Sequence, residues 1–347
     1  MGGEEQSRSM KRGMSIREVA KRARVSTATV SRTINNSTLV DPGTAARVMR
    51  AVEELNYYPD THARTLVSGK SRILGLIVSD ITNPFFPELM KGFEDLAVAE
   101  GYEILVGSTN YDCARMEICV RRMLERKVDG IAIMTSERDA PLIEQLARRR
   151  IPIAFLDVGP ERKHFWNIEV NYAMGIGEAV DHLRELGHEC IAFISGPPAL
   201  HSARTRREAF LAKLNSAGRT SSEPIVVEGD HTVDGGLAAM QTLLAQTPRC
   251  SAVIGSNDLS AIGALRAIHR AGLRIPEDIS LVGFDDIHLA DFTEPPLTTI
   301  RLSRTDVAMR AISWLIAQIE EREPPAKLTS PIETHLVIRQ STARISG

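Results

Sequence analysis

The chain has 347 residues, 43% of them hydrophobic and 25% charged, which excludes a disordered chain or a small scaffold held by disulfides. No apolar run approaches the roughly 18 residues needed to cross a bilayer. The net charge of −2, taken whole, speaks against a nucleic-acid binder, but it conceals a division. Residues 1–72 hold 13 Lys/Arg against 7 Asp/Glu, and residues 73–347 hold 29 against 37. A basic head on an acidic body is the asymmetry expected where one end meets a polyanion.

Residues 1–13 read as a polar arm without the apolar stretch of a secretory signal, so the expected location is cytoplasmic. Met14 is a second candidate start. Cys113, Cys119, Cys190 and Cys250 form no C-x-x-C and have no His at zinc spacing, so neither a metal nor a cofactor is expected.

Ser15 caps a first helix, with Glu18 completing a capping box and Ile16, Val19, Ala20 and Ala23 as its apolar stripe. Arg24-Val25-Ser26 breaks that helix, and Ser26 or Thr27 caps a second. Ala28, Val30 and Ile34 are its inward candidates, and Thr27, Ala28, Thr29, Ser31 and Arg32 its outward ones. Asp41-Pro42 opens a third helix, to about Leu55, with Ala45, Val48, Met49, Val52 and Leu55 on one face. Three short helices with a tight link between the first two make a helix-turn-helix. Small outward residues let the second helix enter a major groove, where Arg32 can reach a guanine edge.

From Arg72 onward, short apolar runs alternate with amphipathic segments. Expected strands are Ile73–Ser79, Glu103–Gly107, Gly130–Met134 and Ile153–Leu156, then Ile191–Ser195, Ile225–Glu228, Ala252–Gly255 and Ile279–Phe284. Expected helices lie near Pro87–Glu100, Ala114–Glu125, Pro141–Arg149, Gly177–Leu186, Ser202–Ala217, Val233–Gln246 and Ser260–Ala271. A β-run at Thr298–Arg301, a helix from about Ser303 to Glu320 and a strand at Ile332–Arg339 follow. This is an α/β body of two doubly wound parallel-sheet lobes. Ligands of such sheets bind at the carboxyl ends of the strands. There the chain places Asp80, Asn83, Phe85, Phe86, Thr135, Asp157, Ser202, Arg206, His231, Asn257 and Asp285. Carboxylates, an arginine and rings suit a hydroxyl-rich ligand, a sugar or sugar derivative. Helix capping competes for Asn83, Ser256 and Asp258.

The segment I-R-E-V-A-K-R-A-R-V-S-T-A-T-V-S-R-T-I-N, with E-E-L-N-Y-Y-P-D after it, resembles the head of the lactose-repressor (LacI) family, and the resemblance extends over roughly residues 14–342. It implies a DNA-binding head at 14–60, a hinge at 61–71, and an effector-binding and dimerisation domain at 72–347. In that domain the first lobe takes about 72–170 and 302–331, and the second 171–301 and 332–342. It implies DNA contacts from Ser15, Ser26, Thr27, Ala28, Thr29, Ser31, Arg32 and Asn35, and from the hinge residues Arg64 and Leu66, the latter as a minor-groove wedge. Ser202-Ala203-Arg204-x-Arg206, Asn257-Asp258 and Gly283-Phe284-Asp285-Asp286 match the family's effector motifs. His231 departs from the aromatic of the lactose and purine repressors. Leu200 replaces the purine-type arginine, which disfavours a purine effector. The implied function is a homodimeric repressor of carbohydrate-utilisation genes, controlled by an effector between the lobes and bound to pseudo-palindromic operator DNA, with no membrane partner. Rival readings are a free sugar-binding protein, which the head opposes, and an enzyme. For the latter, no H-E-x-x-H or G-x-S-x-G occurs, and Gly175-x-Gly177-x-x-Val180 lacks the third glycine of a dinucleotide loop.

Overall fold

The computed structural model describes residues 15–34, 39–58, 70–135, 140–157, 164–216, 224–246, 250–325, 328 and 330–345. The chain divides into two compact units, Met1–Ser71 and Arg72–Gly347. Among the described residues no helix is long and apolar enough to cross a membrane.

In the first unit, α1 (Ile16–Ala23), α2 (Thr27–Ile34) and α3 (Pro42–Glu54) enclose a small core of Val19, Ala20, Ala23, Val30, Val48 and Ala51. The capping box at Ser15 and Glu18 forms, with the Ser15 amide 2.6 Å from the Glu18 carboxylate. Arg24 adopts a left-handed conformation (φ 58°) that ends α1 and makes the tight turn. Asp41 caps α3 at Thr44. Two expectations fail. Ala28 is exposed, and the buried partner of Val30 is Thr33, whose hydroxyl is satisfied by the Thr29 carbonyl. Met49 is also exposed, and Ala51 fills its expected place. Small side chains let three short helices approach closely, so volume outweighs hydrophobicity here.

The second unit holds two sheets. The first orders β2 (Glu103–Ser108), β1 (Ile73–Val78), β3 (Gly130–Met134), β4 (Ile153–Leu156) and β5 (Phe165–Ile168), all parallel. Leu74, Leu76 and Val78 face α4 (Phe85–Ala99), while Ile77 faces α5 (Cys113–Glu125) and α6 (Ala140–Ala147), the period-two alternation of a sheet covered on both faces. The second orders β6 (Val170–Asn171), β12 (Ile332–Val337), β11 (Thr298–Leu302), β10 (Ser280–Asp285), β9 (Ala252–Gly255), β7 (Ile191–Ser195) and β8 (Ile225–Glu228). In it only the β11–β12 pairing is antiparallel. Its helices are α7 (Tyr172–Glu185), α8 (His201–Ser216), α9 (Val233–Leu244) and α10 (Asp258–Arg270). The helix α11 (Arg304–Ile319) packs on α4, β3, β4 and β5, in the first lobe.

The chain therefore passes between lobes three times: between β5 and β6, between β11 and α11, and between α11 and β12. The short strands β5 and β6 were not expected, and α7 begins at Tyr172 rather than Gly177, capped by Asn171. Helices α9 and α10 touch backbone to backbone: a Cβ on Gly263 would lie 2.0 Å from the Val233 carbonyl, and one on Gly236 2.2 Å from that of Ser260.

Candidate functional site

On the head, the open flank of α2 carries Thr27, Ala28 and Arg32 exposed, with Thr29 and Ser31 half-buried. Ser26 Oγ accepts the Thr29 amide at 3.1 Å and lies 2.9 Å from the Thr29 hydroxyl, so both residues serve in starting the helix. Ser15 is exposed and hydrogen-bonded to Glu18. Asn35, Arg64, Leu66, residues 1–13 and most of the hinge lie outside the described residues.

In the body, the carboxyl ends of the strands of both lobes frame a cavity, where ligands of parallel sheets bind. The first lobe supplies an apolar wall of Phe85, Phe86, Met134 and Leu156. The two phenylalanine rings meet edge to face at 5.3 Å, and Asn83 aims them by accepting the Phe85 amide at 3.1 Å to start α4. The second lobe supplies a polar wall of Ser202, Arg206, His231, Asn257 and Asp285.

Arg206 is the centre of that wall. It is 6% exposed, donates to the Ser256 carbonyl at 2.6 Å and meets the Asp285 carboxylate at 3.2 Å. Its guanidinium stacks 3.8 Å from the Phe284 ring centroid and 5.1 Å from that of Tyr172. Burial pushes the Asp285 carboxyl up to about 6, against the lowering effect of the Arg206 charge. His231 Nε2 sits 2.9 Å from Ser256 Oγ. Burial, then the Arg206 charge, drives its imidazole down to about 3, so it is neutral at physiological pH. Asn257 caps α10 through Ser260 and donates to the His231 carbonyl. Two buried polar atoms beside the cavity, Arg206 Nε and Thr135 Oγ1, have no hydrogen-bond partner in the described structure. Such atoms are costly unless something satisfies them.

Nine residues expected from strand ends line this cavity: Asn83, Phe85, Phe86, Thr135, Ser202, Arg206, His231, Asn257 and Asp285. Asp80 does not; it closes a turn on the Thr82 amide and hydroxyl. Asp157 does not line it either. Its backbone is left-handed (φ 62°), and its carboxylate accepts the Val170 amide and the Tyr172 hydroxyl. Burial raises this carboxyl to about 6. The neighbouring Arg204 spends its guanidinium on the Pro198 and Ala199 carbonyls. Ser79, also a strand-end residue, lines the cavity, and sequence reasoning missed Tyr111, Met134, Leu156, Tyr172 and Leu302. Tyr172 had a usable signal, because Asn171 before it is a strong helix cap.

The match to known proteins spans most of the chain. Residues 15–60 fit the model of bacterial regulatory proteins of the lacI family, and residues 180–342 fit that of periplasmic binding protein-like domains. The chain is 35% identical to the HTH-type transcriptional repressor PurR of Pasteurella multocida (strain Pm70), covering 94% of this chain and 98% of that one. It is likewise 35% identical to the ribose operon repressor of Escherichia coli (strain K12), covering 88% and 93%. Among solved structures, the lac repressor dimer bound to operator and the anti-inducer ONPF matches with a TM-score of 0.84 and 28% identity, covering 96% of this chain and 100% of that one. A complex of the transcriptional regulator CelR with cellobiose matches with a TM-score of 0.69 and 29% identity, covering 94% and 99%.

Proposed function

The chain belongs to the lacI family of bacterial regulatory proteins, DNA-binding repressors controlled by small molecules, and from that premise we propose that its effector is a neutral sugar held in the body's cavity. The observation that carries this is the pairing of Arg206 with Asp285 opposite the Phe85–Phe86 wall. Arg206, the one Lys or Arg lining the cavity among the described residues, is already paired with Asp285, so it offers no surplus charge for a phosphate or carboxylate. A sugar ring matches both walls, with its C–H face on the phenylalanines and its hydroxyls on Arg206, Asn257 and Asp285. Thr135 Oγ1 and Arg206 Nε gain partners from such a ligand. Leu200 in the lining adds apolar surface where a purine would need a polar edge read.

We read the protein as a binder rather than an enzyme, acting as a homodimer on operator DNA in the cytoplasm, without a cofactor. A thermal-shift series tests the effector class. D-ribose and other neutral mono- and disaccharides are compared with sugar phosphates, sugar acids and purine bases. A ligand at 100 times its Kd adds about 2.7 kcal/mol of stability. A shift with purines or phosphorylated sugars alone overturns this reading.

For the head, α2 is the element we assign to the major groove, with Thr27, Ala28, Thr29, Ser31 and Arg32 facing the bases and Ser15 and Ser26 near the phosphates. Asn35, Arg64 and the wedge residue Leu66 complete the proposed set. Arg32→Ala is expected to cost about 1–3 kcal/mol on a duplex selected from a random pool, and little on unselected DNA. Gel-shift titrations of both duplexes measure this, and an equal loss on the two removes base readout from Arg32.

A further inference from the structure

The backbone at Asp285 lies in an uncommon region. Asp286 has φ 54°, in the left-handed region that Asp tolerates, but Asp285 has φ 110°, a value that residues other than glycine keep only where their surroundings over-determine them. The second lobe supplies part of that restraint. Asp258 accepts the Ile287 amide at 2.8 Å, and Arg301 and Arg339 grip the Asp286 carboxylate at 2.6 and 2.7 Å. Burial would push the Asp286 carboxyl up, but these two arginines outweigh it and hold it below its usual range.

The rest of the restraint comes from the first lobe. Arg304, at the start of α11, donates to the Asp285 carbonyl at 2.8 Å. Glu88, in the first turn of α4, accepts the His288 amide at 3.0 Å. Glu88 and Arg304 also pair with each other at 3.0 Å, and their side chains are 28% and 21% exposed. Both helices pack within the first lobe, so the ion pair lies on that lobe and each of its members makes one hydrogen bond to the second-lobe turn, at Asp285 and at His288. Partial burial keeps such a pair from being fully screened by salt.

We propose that Glu88 and Arg304 form a latch between the lobes, in which Glu88 is a positioning residue for Asp285. The latch holds the 285–288 turn in its strained form, and that form in turn places the Asp285 carboxylate against Arg206 at the cavity wall. Lobe placement and the geometry of the cavity are then a single two-state element, which any ligand that moves Asp285 biases. The latch holds whichever small molecule the cavity takes.

Hydrogen exchange of the full chain, without ligand, tests this. Glu88→Ala is expected to speed exchange in segment 285–292 about tenfold, the His288 amide included, and to speed the opposite wall, 79–86, as well. The core strands Ile191–Ser195 and Ala252–Gly255 keep their protection, which reports that the variant is folded. Arg304→Ala gives the same pattern, and the double variant is no faster than the faster single, as for one coupled pair. A faster 285–292 with an unchanged 79–86 reports a merely local bond and overturns the latch, as does no change in either segment. If Glu88→Ala does not fold, Glu88→Gln serves instead, because it keeps an acceptor for the His288 amide and drops the charge facing Arg304. About threefold faster exchange in both segments is then expected, and wild-type rates overturn the proposal.

Discussion

Arg206→Ala is expected to abolish the response to effector and to cost the body about 3–5 kcal/mol, the usual loss when one partner of a buried ion pair is removed. That is a large part of the 5–15 kcal/mol that holds a typical domain folded. The variant leaves the Asp285 carboxylate buried without its counter-charge and the Ser256 carbonyl without its donor. It also removes the plate that lies against the Phe284 and Tyr172 rings. The cost depends on pH in a defined direction. Asp285 already titrates near 6, above the 3.8 of a free carboxyl, and loss of Arg206 raises it further. A folded carboxyl that binds its proton more tightly than the unfolded one loses stability as pH rises from about 4 through its folded pKa. The variant is therefore hurt more at pH 8 than at pH 5. Urea unfolding at both pH values measures this, together with operator titrations with and without effector. A normal response to effector by the variant would remove Arg206 from the ligand site, and an equal loss at both pH values would mean that Asp285 does not carry the strain.

Gly263→Ala is the second large effect. Its Cβ would sit 2.0 Å from the Val233 carbonyl and 2.6 Å from the Leu237 amide. Both are backbone atoms of α9, so no side chain can swing aside. The two helices must separate, and the expected loss is about 3 kcal/mol, the upper end for overpacking. Since α10 begins at Asn257 and Asp258, the shift also disturbs the polar wall. Thermal unfolding checks the loss, and a change within about 0.5 kcal/mol, the range of an ordinary surface substitution, would mean that α9 and α10 slide apart without cost.

The alternation of apolar runs and amphipathic helices made most of the fold legible. Ile73–Val78 reads as a buried strand because it is a short unbroken apolar run, and five of its six residues are buried. Phe165–Ile168 and Val170–Asn171 do not, because Asn167 interrupts the first as an apolar run and two residues show no periodicity at all. The crossings were legible only through family resemblance, since the pattern of a strand says that it is buried and not in which sheet. At the site, reading the residues after each strand found the polar wall, because a parallel sheet ends all its strands at one edge. The same reading placed Asp157 there too, but its backbone is left-handed and its carboxylate accepts the Tyr172 hydroxyl, neither of which a side-chain pattern shows.

The three passages between lobes also govern how the body is made. Ile332 pairs with Val170 across half the chain, and Thr299–Leu302 pair with the same late strand. Its edge strand β6 therefore gains a partner only after residues 332 and 333 have left the ribosome, about 160 residues later. The first lobe waits as well, because α11 covers one face of its sheet. Neither lobe is a contiguous stretch that can fold first and template the other. Such long-range pairings slow folding, and until the last strand arrives the growing chain exposes apolar sheet faces that invite association with other chains.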